Sequence, residues 1–220
     1  MTVRFQRILH SAKTILHDAN ANRYKDPQLL NWANAAQREI VIHKPNSNVQ
    51  NEAVVMVAGT KQSLPTGGIS LIEVTRNMGT NGTTPGDVIH MIEREEMDAF
   101  HPSWHTDTAN ATIVHAMYDP RLPKKFYIYP QQPTSAFGYA ELIYNKVPTD
   151  MTITGNIGLG DEYQDVILNG LLYQAFSIDA ATSPRSGERA TVHKNLMLSA
   201  LGVGIQTELA IKPNQGEGKQ

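Results

Sequence analysis

At 220 residues, 40% hydrophobic and 18% charged, the chain can bury one good core or two small ones and has the composition of a folded protein. A formal net charge of -2 without a Lys/Arg cluster argues against direct reading of nucleic acid, and the absence of cysteine excludes disulfides and thiolate chemistry. No stretch approaches the length of a membrane span, and Arg4, Gln6, Arg7, His10 and Lys13 interrupt the apolar run a signal peptide needs, so no membrane partner is expected.

Phe5, Ile8, Leu9, Ala12, Ile15, Leu16 and Ala19 recur at helical spacing and predict a first helix. Asp26 as N-cap and Pro27 in the first turn open a second, ending before Pro45. Its stripe of Leu29, Leu30, Trp32, Ala33, Ala36, Gln37, Ile40 and Val41 needs a partner surface, because a helix pair alone buries too little. From residue 52 to 149 the period changes. EAVVMVA, KQSLP, ISLIEVTRN, DVIHMIER, ATIVHAMY, KFYIY and GYAELIYNKV read as strands separated by Gly, Pro, Asn and Thr clusters, as in a small sandwich or barrel-like sheet. EEMDAF is a short helix before His101 and Pro102. Pro120 and Pro123 lead into the KFYIY strand, and Pro130 and Pro133 are expected to end it.

After Asp161 the helical period returns, with Tyr163, Val166, Ile167, Gly170, Leu171 and Gln174 on one face. Beyond the SPRSGE turn a last helix carries Ala190, His193, Leu196, Met197, Ala200, Leu201 and Ile205. The expected fold class is α+β. N- and C-terminal helical hairpins, residues 1–45 and 160–208, form a bundle around which the chain is organised, and residues 52–149 form a central antiparallel β-rich insert. Residues 209–220 read as a flexible C-terminal tail, since AIKPNQGEGKQ has little apolar content beyond Ile211.

Little in the sequence points to catalysis. His101 and His105, with His90 and His115, are the best candidates for a metal set, but Pro102 breaks the turn that would align the first pair and no HExxH pattern supports it. Residues 79–87, GTNGTTPGD, lack the GK[ST] of a phosphate loop and read as a long mobile hairpin loop exposing Asn81, Thr83 and Pro85. Asp18, Asp161, Glu162 and Asp165 sit where carboxylates act as caps and dipole partners. No nucleophile, base and orienting group assemble, so the expectation is a non-enzyme without metal or cofactor. A binding-module alternative, a tail-fibre or carbohydrate-binding domain, would use Trp104, Tyr118, Tyr127 and Tyr129 as a sugar platform.

The runs RYKDPQLLNWANAAQREIVIHKP, GTKQSLPTGG, LIEVTRNMG, MDAFHPSW, YDPRLPKKFYIYPQQP and GDEYQDVILNGLLYQAFSIDA resemble the head-to-tail adaptor proteins of tailed bacteriophages, similar in organisation to podovirus tail tubular protein A. The likeness covers residues 23–181, and its motifs are structural rather than catalytic. It implies a virion protein, assembled in the host cytoplasm, that forms a dodecameric ring below the portal at the head-tail junction. Such a ring contacts portal protein, tail or nozzle proteins and neighbouring copies, and lets DNA pass through its channel without specific binding. In this setting Leu209, Ile211, Lys212 and Pro213 are candidate portal-binding residues, and Asn81, Thr83 and Pro85 candidate loop contacts.

Overall fold

A computed structural model describes residues 3–181 and 183–211, the last of these, 203–211, as backbone only. It is a mixed α+β chain that divides into two compact units, one drawn from residues up to 47 and from 148 onward, the other comprising residues 48–147.

The first unit contains four helices: α1 (Phe5–Ile15), α2 (Asp26–His43), and, after the insert, two more that close the chain. α1 buries Phe5, Ile8, Leu9 and Ala12, one face at the expected spacing. It stops at Ile15, short of Ala19, because the backbone turns left-handed at His17 (φ 53) and again at Ala21 (φ 51). Asp18 holds that connection: its carboxylate accepts the N–H groups of Asn22, Arg23 and Tyr24 at 2.8, 3.0 and 2.8 Å. These bonds hold its carboxyl below the usual Asp range. Asp26 does not cap α2 with its side chain. Lys25 is the N-cap, Asp26 is the first helical residue, and its carboxylate instead pairs with Lys13 at 2.6 Å.

Two buried amides on α2 fix the connector that re-enters this unit. Asn34 accepts the Met151 N–H at 2.8 Å, and Gln37, 1% exposed, accepts the Gly158 N–H at 2.7 Å while donating to Asn34 Oδ1 at 3.2 Å. The sequence stripe counted Gln37 among core positions; it is buried there because loop backbone satisfies it.

The second unit holds the strands, seven among the described residues: β1 (Val49–Val55), β2 (Gly59–Ser63), β3 (Gly68–Asn77), β4 (His90–Met91), β5 (His115–Tyr118), β6 (Lys125–Gln132) and β7 (Tyr139–Lys146). A short helix, α3 (Arg94–Phe100), separates β4 from β5. Sheet one has the order β1-β7-β3 and is antiparallel; sheet two has the order β2-β6-β5-β4. The insert is not wholly antiparallel, since β4 runs parallel to β5. DVIHMIER supplies only two ladder residues because Val88 and Ile89 are drawn to β3, by the Arg76–Val88 bridge and an Ile89 N–H bond to Thr75 O.

Both faces of β6 are covered, which explains its unbroken apolar run. Phe126 and Ile128 join Ala116, Leu71, Val74, Leu142 and Tyr144 in the core between the sheets. Tyr127 and Tyr129 pack on the opposite side, against Met97, Trp104 and Met117. Pro130 does not end the strand, which continues to Gln132. β5 pairing stops at Tyr129, and on the β2 side the register slips between Gly59 and Lys61, so the missing N–H falls where no ladder bond is needed.

The closing helices are α4 (Gln164–Asp179) and α5 (Pro184–Ile211). α4 contacts α1, α2 and α5, whereas α1 and α2 have little contact with each other. The N-terminal pair is therefore held through α4 rather than as a self-packed hairpin. Gly170 marks the closest approach: a Cβ built there would lie 2.7 Å from Ala36 Cβ on α2 and 3.1 Å from Met197 Sδ on α5. On the α4–α5 seam His193 stacks on Phe176 at 5.5 Å and shares a 2.8 Å hydrogen bond with Asn169. Tyr24 donates to Asp179, which also pairs with Arg23 at 2.5 Å, and burial raises the Tyr24 pKa. The tail expected from Leu209 begins within the backbone range of α5; Leu209 and Ile211 lie on that helix, and Lys212 and Pro213 lie outside the described residues.

Candidate functional site

The Tyr118–Pro133 segment contributes to a cleft in the β unit. After β5 the chain reverses through Asp119–Leu122, where the Leu122 N–H bonds to Asp119 O at 2.9 Å and Arg121 grips the Asp119 carboxylate. Arg121 Nε lies 2.9 and 3.0 Å from the two oxygens and its terminal nitrogen 2.8 Å from Oδ2, so the fork fixes the turn. The guanidinium and the Arg121 N–H hold the Asp119 carboxyl below its ordinary value. Together with the start of α3 this turn encloses a cleft of about 250 Å³. Met117, Tyr118 and Tyr127 line its apolar part, Glu93 and Glu95 one wall and Arg121 the other. It offers contact area and charge of both signs, and no Ser, Thr, His or Lys is among its lining residues.

The histidines weighed as a metal set are drawn into separate local contacts. His101 Nε2 lies 2.6 Å from Asp107 Oδ2, and His105 Nδ1 lies 2.8 Å from Thr60 Oγ1 with its ring stacked 3.6 Å from that of Trp104. His90 and His115 face each other across the β4–β5 pair. Among the described residues no group of three or more His, Asp or Glu is placed to hold a metal ion. Asp107 also accepts the Tyr129 hydroxyl at 2.9 Å, and these two hydrogen bonds, His101 first, lower its pKa.

The sugar platform loses its largest member. Trp104 is 0% exposed and its indole N–H donates to Asp98 at 2.9 Å, while Tyr127 and Tyr129 are half-buried against it. The 79–87 segment is held at its base rather than swinging free: Met78 N–H bonds to Tyr139 O, Tyr139 N–H to Gly79 O, and Gly86 N–H to Asn77 O, at 2.7–2.8 Å. Asn81 Oδ1 accepts the Thr83 and Thr84 N–H groups at 2.9 and 3.2 Å, and Gly82 (φ 74) leaves no room for a Cβ against the Tyr139 ring, 2.8 Å away. Asn81, Thr83 and Pro85 are all exposed on this turn. The cleft went unnoticed in the sequence because its walls come from segments far apart in the chain; the Asp119/Arg121 spacing was its only local signal.

The chain belongs to the SU10 adaptor protein family, whose match spans residues 3–214. It is thus a phage structural adaptor and a component of the virion. The match supports the adaptor resemblance; the finer likeness to podovirus tail tubular protein A rests on the quoted sequence runs alone. No curated relative matches the chain.

Proposed function

We propose that twelve copies of this protein form a ring beneath the portal, continue the DNA channel and dock the tail. The family match across residues 3–214 carries this reading, because membership implies interaction with portal and tail components. In the proposed ring, subunits meet through two different patches, as closed heterologous assemblies require. The four long helices of the first unit are proposed to act as one bundle, organised around α4. DNA passes without specific binding, in keeping with the net charge of -2. Portal supplies the template: ring contacts that are weak between free subunits become favourable once neighbours are held in place.

The C-terminal segment is proposed to order along the portal, with Ile211 in an apolar pocket, Lys212 meeting acidic groups, and Leu209 and Pro213 flanking them. Asn81, Thr83 and Pro85 are proposed as secondary contacts. The test is co-sedimentation of portal with the full chain and with a chain lacking residues 209–220. The truncated protein is expected to keep its fold and lose portal binding, with partial recovery when Ile211 and Lys212 are restored. Full rings of truncated protein on portal would move the docking surface to the helices or sheets.

A further inference from the structure

We infer that the β4–β5 pair is an acid-sensitive latch, closed while His115 is neutral and opened when a proton binds there. The pair is the shortest ladder among the described residues: two register partners, His90 with His115 and Met91 with Ala116. Its backbone bonds are His90 N–H to Val114 O and Ile92 N–H to Ala116 O, both 3.0 Å. Side chains directly paired in neighbouring strands lie on the same face, and the two imidazole centroids are 6.3 Å apart.

The surroundings of His115 suit a neutral ring. Its Nδ1 is buried with no hydrogen-bond partner, and its other face stacks on Tyr129 of β6 at 6.3 Å and 18°. Tyr129 donates its hydroxyl to Asp107, and Asp107 is also bound by His101, so that carboxylate is already committed to two partners. A proton on His115 therefore meets burial first and His90 second, and these outweigh a smaller opposing hydrogen bond with the His90 backbone, so its pKa lies below the ordinary 6.5. An opened strand returns the ring to water and to that ordinary value. The open state thus binds the proton more tightly: the closed state is fully favoured above pH 6.5 and loses ground as pH falls from 6.5 through the lower closed-state value.

The opening is local by construction. Ile89, just before β4, is 3% exposed and bonded to Thr75, and Met97 of α3 is buried, so both flanks remain anchored while the two ladder residues part. The device is independent of the ring reading.

Hydrogen–deuterium exchange on the full chain tests it, at about pH 7.5 and about pH 5, with rates corrected for intrinsic exchange. Protection in residues 88–93 is expected to fall more on acidification than protection in β7, because a lowered closed-state pKa means that protons favour the open strand. His115→Gln should remove that extra pH dependence, while His193→Gln, in the other unit, should leave it intact. Equal pH responses of residues 88–93 and β7, or an undiminished response in His115→Gln, would overturn the latch. Should His115→Gln fail to fold, NMR titration of the wild-type imidazole decides: a midpoint below 6.5 supports the latch, and one at or above 6.5 refutes it.

Discussion

Gly170→Ala probes the packing on which the helical unit depends. In an exposed helix this change stabilises by about 0.5–1 kcal/mol, because alanine loses less backbone entropy and favours the helix. Here the new Cβ would lie 2.7 Å from Ala36 Cβ and 3.1 Å from Met197 Sδ. Carbon pairs settle near 3.5–4.0 Å, so α4 and α2 must separate by about 1 Å. Methionine can swing aside, but the Ala36 Cβ is fixed to its helix and cannot. Overpacking of this kind costs about 1–3 kcal/mol, which leaves a net loss of about 1–2 kcal/mol after the propensity gain. Chemical denaturation followed through Trp32 reports on this unit, with Trp104→Phe as background because the chain's other tryptophan lies in the β unit. A fall in Tm of about 2–4 °C per kcal/mol is expected. Ala36→Gly removes the opposing atom, so the double variant should be more stable than the sum of the singles by about 1 kcal/mol. A Gly170→Ala protein that melts higher than wild type, or effects that simply add, would refute the close crossing of α2 and α4.

Leu171→Ala and Ile40→Ala, both 0% exposed in wild type, should each cost about 2–5 kcal/mol in the same denaturation assay. Gln37→Leu keeps the side chain's bulk but strands the Gly158 N–H, and a loss of about 1–3 kcal/mol is expected by urea titration. Asp18 has a lowered folded pKa, so its stabilisation is present above the ordinary value of 3.8 and is lost as pH falls through the lower folded one. The stability gap between wild type and Asp18→Asn should therefore narrow in acid; a gap that is constant across that range would contradict the proposed role.

What the sequence conveyed was mostly periodic. The α2 stripe and the apolar runs of β6 and β7 are set by local spacing, and they reappear as buried positions. Misplaced boundaries trace to interactions that spacing does not encode. α1 ends early because His17 and Ala21 adopt positive φ without being glycine, a conformation stabilised by Asp18 bonds to residues further on. Pro130 reads as a strand terminator, yet it falls in the irregular stretch of β6 between the Lys61–Tyr127 and Gly59–Gln132 pairs, where its missing donor is harmless. The cleft and the histidine pair were illegible for a related reason. Glu93 and Arg121 come to line one cleft, and His90 meets His115, only after β4 lies parallel beside β5, and no motif announces a two-residue parallel ladder.

Imaging the purified protein mixed with the portal of its own phage tests the central claim most directly. The account predicts ring-shaped density of twelve copies seated on the outer end of the portal, with the channel continuous through both. Portal particles left bare at concentrations where the adaptor is in excess, or adaptor bound elsewhere on the particle, would contradict it.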